Sequence, residues 1–148
     1  MGRKGEEAKA LFEQGYNCAQ AVVCAFAPEM GLTRETAARL ASAFGGGLGR
    51  LRETCGTVSG MAFVIGMLRG YQDPQDIAGK KETYALMQKL AGRFREKNGS
   101  LICRELLGLD KAEGSPEPSP RTPEYYRKRP CGELARCAAA ILEEEFNI

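Results

Sequence analysis

Histidine is absent from this 148-residue chain. That absence removes Cys–His nucleophile pairs, Ser–His–Asp triads, haem attachment through C-x-x-C-H and every histidine-containing metal site. An excess of either charge is also missing. Lys plus Arg number 21 against 19 Asp plus Glu, a net of +2. This balance gives no electrostatic case for nucleic acid or a membrane surface as a partner. No apolar run approaches the ~18 residues of a transmembrane helix. The stretch Met1-Gly2-Arg3-Lys4-Gly5-Glu6-Glu7 carries acids and lacks the apolar region of a signal peptide. The expected location is cytoplasmic, where thiols are normally reduced.

C-x-x-C pairs are missing too, and with them the usual mark of zinc ribbons and thioredoxin-type sites. What is present is six cysteines: Cys18, Cys24, Cys55, Cys103, Cys131 and Cys137. In a reduced compartment these point to metal, redox chemistry or plain burial more than to structural disulfides. Any metal site must be all-cysteine, or cysteine aided by carboxylate or an outside ligand. Hydrophobic residues make up 43% of the chain, which excludes a disordered protein. The length fits one domain over residues 1–148 with a real core.

No stretch alternates with period two, so the expected fold is all-α, a bundle of five or six helices. Ala8, Leu11 and Phe12, then Ala19, Val22, Val23 and Phe26, have helical spacing, interrupted at Gly15-Tyr16-Asn17. Asn17 is a candidate N-cap that puts Cys18 first in its helix. Thr33 caps a helix running to Phe44. The Gly45-Gly46-Gly47-Leu48-Gly49 run lacks the G-K-[ST] ending of a P-loop and reads as a tight turn near Cys55. The Cys55 helix follows, ending near Gly70, with Gly56 and Gly60 spaced for close helix packing. Asp73-Pro74 is expected to start the next helix, with Ile77, Tyr84, Leu86, Met87, Leu90 and Phe94 on its apolar side and Asn98-Gly99 at its end. Ser100 is a candidate cap for Leu101 to Leu107, which carries Cys103. Asp110 to Pro130 holds five prolines and reads as a long loop or lid. Pro130 opens the last helix, with Cys131 in its first turn.

Cys18, Cys55, Cys103 and Cys131 thus each fall near a predicted helix start. A helix N-terminus offers spare N–H groups and the positive end of the dipole, both of which favour thiolate. Arg50 and Arg52 stand close to Cys55 in sequence and are expected to add positive charge. Four such ends meeting at one point would build a site of readily ionised thiols with N–H donors to sulfur. Cys24 and Cys137 each lie six residues beyond a member of that set. At ~100° per residue this is ~240° around the helix, so both are expected to be buried, inert cysteines. Tyr16, Tyr125 and Tyr126 are candidate walls of the site, while Tyr125-Tyr126-Arg127-Lys128-Arg129 reads as a solvated loop.

The segments Gly15-Tyr16-Asn17-Cys18-Ala19-Gln20-Ala21-Val22, Phe44-Gly45-Gly46-Gly47 with Cys55-Gly56-Thr57-Val58-Ser59-Gly60, Cys103-Arg104-Glu105-Leu106-Leu107-Gly108, and Cys131 heading the last helix resemble the C-GCAxxG-C-C family of redox-active proteins. Thr57 stands where alanine is common in that family. The resemblance implies that the signature cysteines are Cys18, Cys55, Cys103 and Cys131. It also implies a helical fold similar to the cysteine domain of split-Soret cytochromes, and hence an iron–sulfur site, such as a [2Fe–2S] cluster. Three readings follow. In the first, the four cysteines hold a cluster or pair as disulfides and pass electrons to a redox partner protein. In the second, they bind or sense zinc or another soft metal. In the third, Cys55 is a catalytic nucleophile, for which no base stands at a telling spacing. A homodimer is compatible with each.

Overall fold

A computed structural model describes residues 3–109 and 115–148. Among the described residues there are nine regular α-helices, α1 (Arg3–Glu13), α2 (Cys18–Ala25), α3 (Ala27–Met30), α4 (Arg34–Ala41), α5 (Gly56–Arg69), α6 (Ile77–Asn98), α7 (Cys103–Leu106), α8 (Pro123–Lys128) and α9 (Cys131–Phe146), with a 3-10 turn at Ser42–Phe44 leading into a kinked turn at Gly45–Leu48. No strand occurs among the described residues; one isolated bridge joins Thr54 to Ile102. The chain is all-α, with more and shorter helices than the expected five or six. Short segments such as Ala27–Met30 and Cys103–Leu106 are too brief to show a period in sequence.

Local chemistry sets the boundaries. Asn17 accepts a hydrogen bond from the Gln20 N–H while Gln20 returns one to the Asn17 N–H, a reciprocal cap that starts α2 at Cys18. Thr33 caps α4, and Gly31 and Gly99 end α3 and α6 in the left-handed region. Asp73-Pro74 does not start α6. Asp76 does, accepting from the Gly79 N–H, while the Asp73 carboxylate closes a turn on Gln75. Ser100 likewise caps a turn at Ile102, and α7 begins only at Cys103.

Helix α2 is the centre. All its residues but Gln20 are buried, so it has no solvent face, and α1, α4, α5 and α9 pack around it. The α1–α9 contact is the broadest, joining Ala8, Leu11 and Phe12 to Leu134, Ala135, Ala138 and Leu142 within one core. Gly60 lets α5 approach α2, since a Cβ there would meet Val22 Cβ at 3.0 Å. Helix α6 contributes Leu90, Ala91 and Phe94. Ile77 and Tyr84, expected on its apolar side, are exposed. The buried Lys4 ammonium donates to Ala25 O and to Glu29 Oε1, both at 2.8 Å, and ties α1 to the end of α2. The proline-rich stretch is not all loop: Thr122 caps α8, with Pro123 in its first turn. Residues 110–114 of that expected loop lie outside the described residues.

Candidate functional site

Each of the four cysteines singled out above begins a helix. Cys18, Cys103 and Cys131 are the first residues of α2, α7 and α9, and Cys55 is the N-cap of α5. The structure brings all four to the wall of one cavity of about 60 Å³, along with Phe12, Gly56, Arg52, Tyr125 and Leu134. That is several times the ~10–15 Å³ of a single water site.

Backbone pairing positions Cys55 and Cys103. The Cys55 N–H donates to Leu101 O at 2.8 Å, and the Cys103 N–H donates to Glu53 O at 2.6 Å. The chain between Gly46 and Arg52 supplies the turn. Gly46, Gly47, Leu48, Gly49, Arg50 and Arg52 all have positive φ. Leu48, Arg50 and Arg52 carry side chains there, a conformation that costs roughly 1–2 kcal/mol per residue and concentrates at functional sites. Two glycines keep the sulfurs close. A Cβ at Gly47 would lie 2.6 Å from Cys103 Cβ, and one at Gly56 would lie 2.6 Å from Cys18 Sγ. The glycine run is therefore a turn that admits Cys103.

The sulfurs differ in their surroundings. Cys18, Cys55 and Cys103 are buried, and Cys131 is partly exposed. Cys18 receives backbone N–H bonds from Gly46 and Ala19. Cys55 Sγ lies 3.1 Å from the Thr57 hydroxyl. Arg52, 5% exposed, directs Nη1 to Cys103 Sγ at 3.6 Å. Arg52 was expected beside Cys55; the left-handed turn points it to Cys103 instead. Arg50 reaches Ser115 O and Ser119 Oγ.

For Cys18, Cys55 and Cys131 the expectation of readily ionised thiols is overturned. Burial pushes Cys18 up, against the lowering effect of its N–H bonds. Burial, then the neighbouring Cys18, pushes Cys55 up to about 12, and the same two causes act on Cys131, also to about 12. Desolvation of the anion outweighs the donors because these thiols are buried among protein groups.

Cys24 and Cys137 lie elsewhere. Cys24 is buried with its Sγ 3.7 Å from Arg34 O. Cys137 accepts from Asn98 Nδ2 at 3.4 Å and is partly exposed, not buried as expected. Of the tyrosines, Tyr125 lines the cavity, while Tyr16 and Tyr126 do not. The Tyr125–Arg129 stretch falls in and just after helix α8 and not in a loop: Tyr125 and Arg129 line the cavity, while Arg127 and Lys128 are exposed. Sequence reasoning missed Arg121 and Arg129, which also line the site. Their signal was the aromatic-basic stretch around α8. No three Cys, Asp or Glu side chains among the described residues are arranged to hold one metal ion. No helix among them is long and apolar enough to cross a membrane.

Fold and site together define an all-helical protein with a four-cysteine cavity. Residues 16–145 match the family described as "Putative redox-active protein (C_GCAxxG_C_C)". The chain belongs to this family. Neither the curated proteins nor the solved structures give a match.

Proposed function

We propose that the protein is an electron carrier whose working groups are Cys18, Cys55, Cys103 and Cys131. The observation that supports this is the meeting of four thiols, from four helix starts far apart in sequence, at one cavity. Cores gather cysteine as a small hydrophobe, but chance burial does not put one at the head of each of four helices and leave the other two elsewhere.

The donor set is all sulfur, which fits soft metals and iron–sulfur clusters. N–H and O–H groups at Cys18, Cys55 and Cys103 are the donors that tune such a centre. A tetrahedral zinc ion needs four ligands at one point, and no three donors among the described residues share one. That favours pairwise use of the sulfurs. They would act either as two thiolate pairs on the two irons of a [2Fe–2S] cluster or as dithiols that oxidise to disulfides. When bound, a cluster would supply one-electron transfer; the chain's own residues exclude water and donate to the sulfurs.

Anaerobic purification followed by visible spectroscopy and iron, sulfide and zinc analysis tests this. Visible absorption with iron and sulfide supports the cluster. A colourless, metal-free protein in which mild oxidant consumes thiols of the set supports the dithiol. Stoichiometric zinc in a colourless protein, with no thiol oxidised, would sink the redox reading.

A further inference from the structure

A second cavity, of about 330 Å³, opens directly outside the cysteine cavity. The two share Asn17, Gly46, Arg52, Arg121, Tyr125 and Arg129. The outer space is therefore a vestibule to the inner one. Arg50, Arg52, Arg121 and Arg129 are among the residues that line it.

Two of these cations are fixed by neutral partners. Arg121 donates to Phe12 O at 2.9 Å and to Tyr16 O at 3.0 Å. Its guanidinium also lies 4.3, 5.1 and 5.7 Å from the ring centres of Phe12, Tyr125 and Tyr126. The Arg129 guanidinium sits 5.4 Å over the Tyr125 ring. Carbonyls and rings hold these side chains in place without cancelling their charge. A guanidinium pairs best with a planar oxyanion such as a carboxylate. The volume is that of a small-molecule pocket, ~300–1,000 Å³.

We propose that the vestibule binds a small disulfide bearing carboxylate groups and presents its S–S bond to the cysteine set, an inference that rests on the redox reading above. Cys131, the most exposed of the four sulfurs, makes the first bond. Its thiolate attacks one ligand sulfur, and the other leaves as a small thiol after taking a proton. A second thiol of the set then attacks Cys131 Sγ, gives up its proton and releases the remaining half. Two electrons and two protons pass to the ligand, leaving one protein disulfide and two small thiols.

Suberate has the length of 3,3′-dithiodipropionate with CH2–CH2 in place of S–S, so it reports binding without sulfur chemistry. Calorimetric titration of the reduced, anaerobic protein should show one suberate bound. Its affinity should fall by about ten-fold or more on adding salt and in Arg129→Gln, and hold in Arg129→Lys. The same sample is then oxidised with 3,3′-dithiodipropionate or with the uncharged 2-hydroxyethyl disulfide, each rate divided by that with free cysteine. The dianion should lead by about ten-fold, and the lead should vanish in Arg129→Gln. Circular dichroism checks that the variants fold. Absent suberate binding, or equal normalised rates, overturns the proposal. Oxidation of the set by the neutral disulfide in that sample would leave the redox reading standing, so the two failures are distinguishable.

Discussion

A thiol at Cys55 has a hydroxyl and backbone N–H groups around it, and still holds its proton to about 12 against an ordinary 9.0. The sign of the consequence follows. A group whose folded pKa is raised adds stability in full below pH 9.0 and loses it as pH climbs toward 12. Urea midpoints of the metal-free protein should therefore be flat in this respect near pH 7 and fall above pH ~9. The fall should shrink in Cys55→Ala. A midpoint that stays level to pH ~10.5 would contradict it. At neutral pH, iodoacetamide should label Cys55 at least about ten-fold more slowly than free cysteine, which peptide mass spectrometry can follow. Cys24→Ala should cost on the order of 1 kcal/mol and leave any chromophore intact, whereas Cys55→Ser should abolish it. Equal loss in both variants would end the division between working and packing cysteines.

Helix boundaries were the most readable feature, because capping is local. Asn17 with Gln20, Thr33 before Thr36, and Gly99 after Asn98 each act within a few residues. Cys18 at a helix head followed from the Asn17 cap, and Cys131 from Pro130 just before it. Asp73 was misread for the same reason. Two aspartates three residues apart each offer a cap, and only the one that meets the Gly79 N–H begins α6. The direction of Arg52 was not readable, because it depends on a run of left-handed residues that includes Leu48 and Arg50. Nor was the height of the thiol pKa values, which is a property of the assembled core. Two element-level predictions follow. Gly47→Ala places a methyl against Cys103 at a φ of +71° and should destabilise by roughly 1–3 kcal/mol, read from urea midpoints. Arg121→Ala removes the clamp that holds α8 and its approach to the corner between α1 and α2. It should speed iodoacetamide labelling of Cys131 several-fold, with little change at Cys24. Equal acceleration at both would indicate general loosening instead.

At the level of the whole molecule, the cysteine division predicts the products of air oxidation. In metal-free protein, disulfides should form within Cys18, Cys55, Cys103 and Cys131, as shown by mass spectrometry after alkylation. A Cys24–Cys137 bond with the other four free would reverse the assignment. The cavity wall also carries a consequence for biosynthesis. Cys18 heads the central helix near the start of the chain, and Cys131 heads α9 near its end. Helix α9 also covers α1 and supplies Leu134, Ala138 and Leu142 to the shared core. A nascent chain still missing α9 therefore has an open hydrophobic face and only three of the four sulfurs. The four-sulfur cavity is therefore complete only once α9 has docked against α1 and α2.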